Sequence, residues 1–231
     1  MRMIRAEFAK LKPVRYISHL ELMDTLRRGM RRAGLPVKYT QGYNPHIKLA
    51  LGQPLAVGMT GMTEYFDLEL REKLPIKEFK VRLNKFLPDP IRINKAKYVP
   101  KDVKSLQAVV NTAVYQINLN INGELDEKKT INHFLNLREI RVVRKRRSKE
   151  DRVIDLKPMV YDIEMFEPGI WDFTVSTGSS GNVRPSELIR ALTERYDQIE
   201  EVPLVNVVRK RLYVRKEDKL YKPFAKRVVR R

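Results

Sequence analysis

The chain has 231 residues, 42% of them hydrophobic and 32% charged, with a net charge of +19. That length fits one large domain or two of roughly 100 residues each, and the apolar share is enough for a packed core. With no cysteine and only three histidines, His19, His46 and His133, the sequence excludes disulfides, thiolate zinc sites and cysteine-held clusters. No cofactor and no metal site is expected.

No run approaches the roughly 18 apolar residues of a membrane span, and the N-terminus has no signal-peptide pattern, so the expected location is the cytoplasm, away from membranes. The charge is uneven: the first 100 residues carry a balance of +11, the next 100 of zero and the last 31 of +8. Self-repulsion on that scale is the usual footprint of a polyanion partner, RNA before others.

In chain order, residues 2–10 read as a strand and 19–33 as a helix. Leu20, Met23, Leu26 and Met30 recur at the helical period. Ser18 followed by Glu21 three residues on is a capping box, and Gly34 with Pro36 closes the helix. Strands at 46–51 and 64–70 flank a connection punctuated by Gly52, Pro54, Gly58 and Gly61. Pro75 opens a helix over 75–86, with Phe79, Leu83 and Phe86 on one face, and 91–98 alternates like an edge strand. This βαββαβ order is that of a ferredoxin-like unit.

The second half repeats the order at lower contrast. Strands are expected at 112–121, 139–145, 152–165, 170–176 and 205–214, with helices at 125–136 and 185–195. The expected fold is therefore α+β, two tandem ferredoxin-like units with antiparallel sheets over 1–99 and 111–215. The second carries an extra strand or an extended hairpin, 100–110 is a linker, and 216–231 is a basic tail holding Lys222, Lys226, Arg227, Arg230 and Arg231.

Several groups are candidates for an RNA interface. Arg27, Arg28, Arg31 and Arg32 form two i,i+4 rows on the first helix, suited to bidentate phosphate contacts or simply to a solvated face, and Arg15 adjoins them. In Tyr39-Thr40-Gln41-Gly42-Tyr43-Asn44-Pro45-His46 the tyrosines offer stacking surfaces while Gln41 and Asn44 can read base edges. The same tyrosines also suit core anchors around a plain turn. Thr177 to Pro185 joins a strand to a helix, with small residues and Arg184 beside a helix N-terminus that suits an anion as well as a flexible turn. The run from Arg141 to Lys149, including Arg144, Arg146 and Arg147, reads as a cationic hairpin tip. His19, His46 and Tyr16 are candidates for a metal-free acid–base site, although a capped helix start accounts for His19 without chemistry.

Five N-terminal motifs in one order, and one downstream, resemble a known family. They are Arg15-Tyr16-Ile17-Ser18-His19-Leu20, Arg31-Arg32-Ala33-Gly34-Leu35-Pro36, Gln41-Gly42-Tyr43-Asn44-Pro45-His46, Pro54-Leu55-Ala56-Val57-Gly58, Glu64-Tyr65-Phe66-Asp67 and Arg184-Pro185-Ser186-Glu187-Leu188. The family is the radical-SAM-linked bacterial domain of unknown function 2344. The resemblance implies a companion to a radical SAM protein encoded nearby, because a cysteine-free chain supplies no cluster ligands. It also implies that Tyr16, Ser18, His19, Gly42, Tyr43, Asn44, Pro45 and His46 belong to one site.

The function expected from these readings is an RNA-binding accessory protein presenting ribosomal or transfer RNA to a radical SAM modification enzyme, without catalysis of its own. Two alternatives stand beside it. One is a metal-independent endoribonuclease, similar to the CRISPR repeat-processing nucleases. The other is a protein–protein adaptor whose basic faces are incidental.

Overall fold

The computed structural model describes residues 3–145, 150–179 and 181–229. In the first half the strands are β1 (Met3–Lys10), β2 (Leu49–Leu51), β3 (Thr60–Glu69) and β4 (Ile91–Val99), and the helices are α1 (His19–Arg32) and α2 (Ile76–Phe86). α3 (Leu106–Val109) follows, then β5 (Thr112–Asn118), β6 (Asn120–Ile121), α4 (Glu127–Asn136), β7 (Arg141–Arg144), β8 (Arg152–Asp155), β9 (Val160–Glu167) and β10 (Ile170–Ser176). α5 (Pro185–Thr193), β11 (Ile199–Glu200), β12 (Val207–Lys216), β13 (Lys219–Tyr221) and α6 (Lys226–Val229) complete the chain. None of these helices is long and apolar enough to cross a membrane.

A separate sheet is expected in each half, but the halves share one. Nine strands join in the order β4-β1-β3-β12-β5-β10-β9, with β2 paired to β3 and β13 to β12. The join is a short parallel contact between β3 and β12, Val208 with Thr60 and Arg209 with Gly61, while the other pairings in the sheet are antiparallel. β7 and β8 form their own hairpin outside it.

Strand alternation explains the first core. On β1, Ile4, Ala6 and Phe8 join Phe66 and Leu68 of β3 in a cluster that also takes Leu22, Leu26 and Met30 of α1 and Phe79 and Leu83 of α2. The face of α1 differs from the expected one. Leu20 is 71% exposed, and the buried stripe is Leu22, Leu26, Gly29 and Met30. Gly29 sets that phase, because a Cβ there would lie 2.7 Å from Leu87 Cδ2, at the close crossing of the segment after α2.

The opposite side of β1 carries charge inward. Arg5 is fully buried, forks onto Asp67 of β3 with two 2.8 Å hydrogen bonds, and donates to the carbonyl of Pro223 at 3.0 Å. Phe224 meets the Tyr65 ring edge-on, and Val228 of α6 is buried, so the described part of the expected tail folds back onto the first half. The expected linker is likewise packed, through buried Leu106 and Val110. The second core, built on Trp171, Phe173, Tyr115, Phe134 and Leu188, also takes Leu55, Met59 and Tyr65 from the first half.

Candidate functional site

The shared sheet brings four of the six sequence motifs to one place. Lys10, at the end of β1, is buried and donates to the carbonyls of Arg15 (3.2 Å) and Ile17 (2.9 Å), which ties down the segment leading into α1. The amide of Gly58 donates to the Arg15 carbonyl at 2.9 Å, so the Pro54–Gly58 loop lies against that segment. α1 then starts with the expected capping box, Ser18 Oγ accepting from the Glu21 amide at 3.2 Å and Glu21 Oε2 from the Ser18 amide at 2.7 Å.

Behind this corner sits Arg209 of β12, 1% exposed. Its Nε donates to Glu64 Oε1 at 2.8 Å, Nη2 to the Gln53 carbonyl at 2.8 Å and Nη1 to the Pro54 carbonyl at 3.0 Å. A cavity of about 520 Å³ opens beside it. Pro54, Leu55, Ala56 and Met59 form the wall from the first half, and Thr177, Gly178, Asn182, Val183, Arg184, Pro185 and Ser186 the wall from the second. Gly178 is required by this approach. Its φ is +90°, and a Cβ would fall 2.8 Å from the Val110 carbonyl oxygen.

The anion seat expected at the start of α5 is already filled by the protein. The carboxylate of Glu187 accepts the Arg184 amide at 3.0 Å and two hydrogen bonds from Arg144, at 2.6 and 2.7 Å. Arg144 also donates to the Asn182 carbonyl, so it holds the 177–185 connection instead of reaching outward from the hairpin tip. Arg146 and Arg147 lie outside the described residues. The Arg184 side chain is exposed at the cavity mouth and makes no ion pair among the described residues.

The remaining candidates separate into two groups. Arg15, Tyr16, Ser18 and His19 stand at the Lys10 end of β1, with the Tyr16 ring 60% exposed beneath the Arg15 guanidinium. The turn holding Gln41, Gly42, Tyr43, Asn44, Pro45 and His46 grows from the other end. Its base is fixed by Tyr39 bridging Ile47 and by Lys38 and Lys48 on Glu69, the residue paired with Met3. β1 spans eight residues, so the two groups lie on the order of 20 Å apart at about 3.3 Å per residue. The single site implied by the resemblance is not assembled within this chain, and His19 and His46 do not form one acid–base pair.

The turn tip is open. Tyr43 is fully exposed, at 106%, which removes its reading as a core anchor. Along α1, Arg28 and Arg31 are exposed, Arg32 is exposed with its guanidinium 5.6 Å from the Phe86 ring, and Arg27 is half-buried and paired with Asp24 at 3.4 Å.

Sequence reasoning named Glu64 and both cavity walls among the motifs but missed Arg209, its pairing with Glu64 and the meeting of the two walls. One signal was present: Arg209 shares the inward phase of β12 with Val207, where an alternating strand places apolar side chains. A cation in that phase demands a buried partner.

Burial, reinforced by the charge of Arg209, lowers the pKa of His19 below its ordinary value. The unfolded chain therefore binds more protons just below pH 6.5, so folding stability rises with pH through that window and is complete above about 6.5. Denaturation midpoints should fall from pH 7 to pH 5, and His19→Gln should flatten that dependence. An identical pH profile in the variant counts against this environment for His19.

A model of the family described as "Uncharacterized protein conserved in bacteria (DUF2344)" matches residues 3–185. No curated protein matches the sequence. Among solved structures, a chain from "Crystal Structure of a Cbf5-Nop10-Gar1 Complex" is similar at 12% identity and a TM-score of 0.48, over 90% of this chain and 48% of that one. This chain thus spans about half the length of that structure's chain, and a likeness at this level carries nothing about function.

Proposed function

The chain belongs to the bacterial DUF2344 family, and from that premise we propose that it is an RNA-binding accessory protein, without catalysis of its own. Its ligand is an exposed, unpaired segment of ribosomal or transfer RNA, presented to a radical SAM partner. With no cysteine in this chain, the partner would hold the iron–sulfur cluster. The strand orders β4-β1-β3-β2 and β12-β5-β10-β9 support reading each half as a ferredoxin-like unit.

The observation that carries the reading is the full exposure of Tyr43 on a turn that also displays Gln41 and Asn44, in a chain of net charge +19. An aromatic ring held in water without packing is a stacking surface for a base, and amide side chains beside it suit base edges. Flat positive charge alone would bind polyanions without such a turn.

Tyr43→Ala is the test. Because the ring is exposed, its removal should change stability by no more than about 0.5 kcal/mol. Affinity for single-stranded RNA should drop by roughly 1–3 kcal/mol, measured by fluorescence anisotropy at fixed salt. Unchanged affinity removes the turn from the interface, and absence of RNA binding by the parent protein at low salt overturns the reading altogether.

A further inference from the structure

The cavity on the seam between β3 and β12 is separate from the exposed turn and from the arginines of α1. Its volume, about 520 Å³, falls within the range of about 300–1,000 Å³ typical of sites for small organic ligands and is far larger than a lone phosphate requires. Its floor is apolar and buried, made of Leu55, Met59 and Val183. Its mouth is polar and exposed, with the Asn182 amide, the Ser186 hydroxyl and the Arg184 guanidinium.

The charges around it are not equivalent. Arg209 is consumed by Glu64 and the backbone carbonyls of Gln53 and Pro54. Glu187, the nearby acid on α5, is consumed by Arg144 and by the Arg184 amide. Among the described residues, the one charge left free at the mouth is therefore positive, on Arg184. No carboxylate is among the described lining residues. A matching ligand has an apolar-faced body with hydrogen-bonding edges and a single anionic group outside the pocket.

We infer that this cavity takes one nucleoside monophosphate unit, its base between the Pro54–Met59 wall and the Val183–Pro185 wall and its phosphate on Arg184. The base faces meet aliphatic side chains and the Met59 thioether, which is polarizable and packs well on aromatic rings. Asn182 and Ser186 meet the base edge or ribose, and Arg184 matches a phosphate through paired N–H donors. The unit is either a free nucleotide or a nucleotide extruded from a bound strand, the latter at a cost of a few kcal/mol in unstacking that an already unpaired base avoids. The strand source rests on the RNA-binding reading; the pocket and its ligand chemistry do not. Because the two walls come from different halves of the chain, occupancy also ties the halves together.

The test titrates the full-length protein with the four 5′-ribonucleoside monophosphates, with the parent nucleosides and with inorganic phosphate, by calorimetry and thermal shift. At least one monophosphate should bind and raise the melting temperature, more tightly than its nucleoside and than phosphate alone. Arg184→Ala should weaken it about 10- to 100-fold, the effect of one charge-assisted contact. Ala56→Trp should abolish binding by filling the cavity from its exposed rim. Ser186→Phe fills the opposite wall, so a misfolded variant on one side leaves the other to decide. Equal binding of phosphate alone, undiminished binding in a folded cavity-filling variant, or no binding of any monophosphate at millimolar concentration overturns the inference. Displacement of the monophosphate by single-stranded RNA supports an extruded nucleotide as the ligand. Monophosphate binding that RNA does not displace keeps the pocket and removes the strand as its source, whereas RNA binding untouched by Ala56→Trp, with no nucleotide bound, removes the pocket and leaves the RNA-binding reading in place.

Discussion

Glu64→Ala is expected to destabilise the protein by about 3–5 kcal/mol, because it leaves the buried guanidinium of Arg209 without its counter-charge. The pair is the polar centre of the seam: Glu64 lies on β3, Arg209 on β12, and 145 positions of sequence separate them. Without Glu64, the carbonyls of Gln53 and Pro54 still accept from Nη2 and Nη1, but they do not neutralise the guanidinium and Nε is left without its acceptor. Chemical denaturation of parent and variant measures the loss directly. A Glu64→Leu, Arg209→Met double variant should recover part of it, since neither side chain then carries charge into the interior. Recovery should be incomplete, because the freed Gln53 and Pro54 carbonyls lose donors, at about 1–3 kcal/mol for each acceptor left dry. A single variant within about 1 kcal/mol of the parent would mean that water reaches the pair.

What the sequence made legible was local. The bounds of α1 followed from Ser18, Glu21 and Gly34, and the cap is present as expected. The face of α1 did not follow, because Leu20, Met23, Leu26 and Met30 make as good a helical stripe as Leu22, Leu26 and Met30. The tie is broken by Gly29, whose missing side chain lets Leu87 approach, a contact made 58 positions away in sequence. The single sheet was hidden for a similar reason. Its seam is two residue pairs of backbone contact, to which side-chain alternation is nearly blind.

Buried ion pairs were half legible. Arg209, in phase with Val207, is a charge where alternation commits side chains to the interior, whereas Arg5 faces away from Ile4 and Ala6 and carried no such signal. Nothing local names Asp67 or Glu64 as their partners. At α5 the reverse happened. Glu187 stands three residues after Arg184, the spacing of a capping acid, and that carboxylate rather than an outside anion satisfies the helix start. The exposure of Tyr43 was open from sequence, since Gly42, Asn44 and Pro45 fit a turn on the surface as well as one folded over a core.

Removing the exposed charges of α1 should produce the largest change in RNA affinity. The fitting variant is Arg28→Ala, Arg31→Ala, Arg32→Ala, leaving Arg27 in place because Asp24 already occupies it. If the three guanidiniums each neutralise a phosphate of a single strand, the slope of log affinity against log salt should become shallower by about 2, at roughly 0.7 per contact. Near 0.15 M salt the same three contacts correspond to about a 50-fold loss of affinity. Stability should change by no more than about 0.5 kcal/mol, because relief of the like-charge pairs that Arg28 makes with Arg31 and Arg32 at i,i+3 and i,i+4 gains about 0.2–0.5 kcal/mol each. Loss of the Arg32 contact with Phe86, about 0.5–1 kcal/mol at an exposed site, cancels most or all of that gain. Anisotropy titrations of one RNA at several salt concentrations separate the outcomes. A parallel salt line with weaker binding points to lost uncharged contacts, and a line coincident with the parent's shows that RNA does not touch this face of α1.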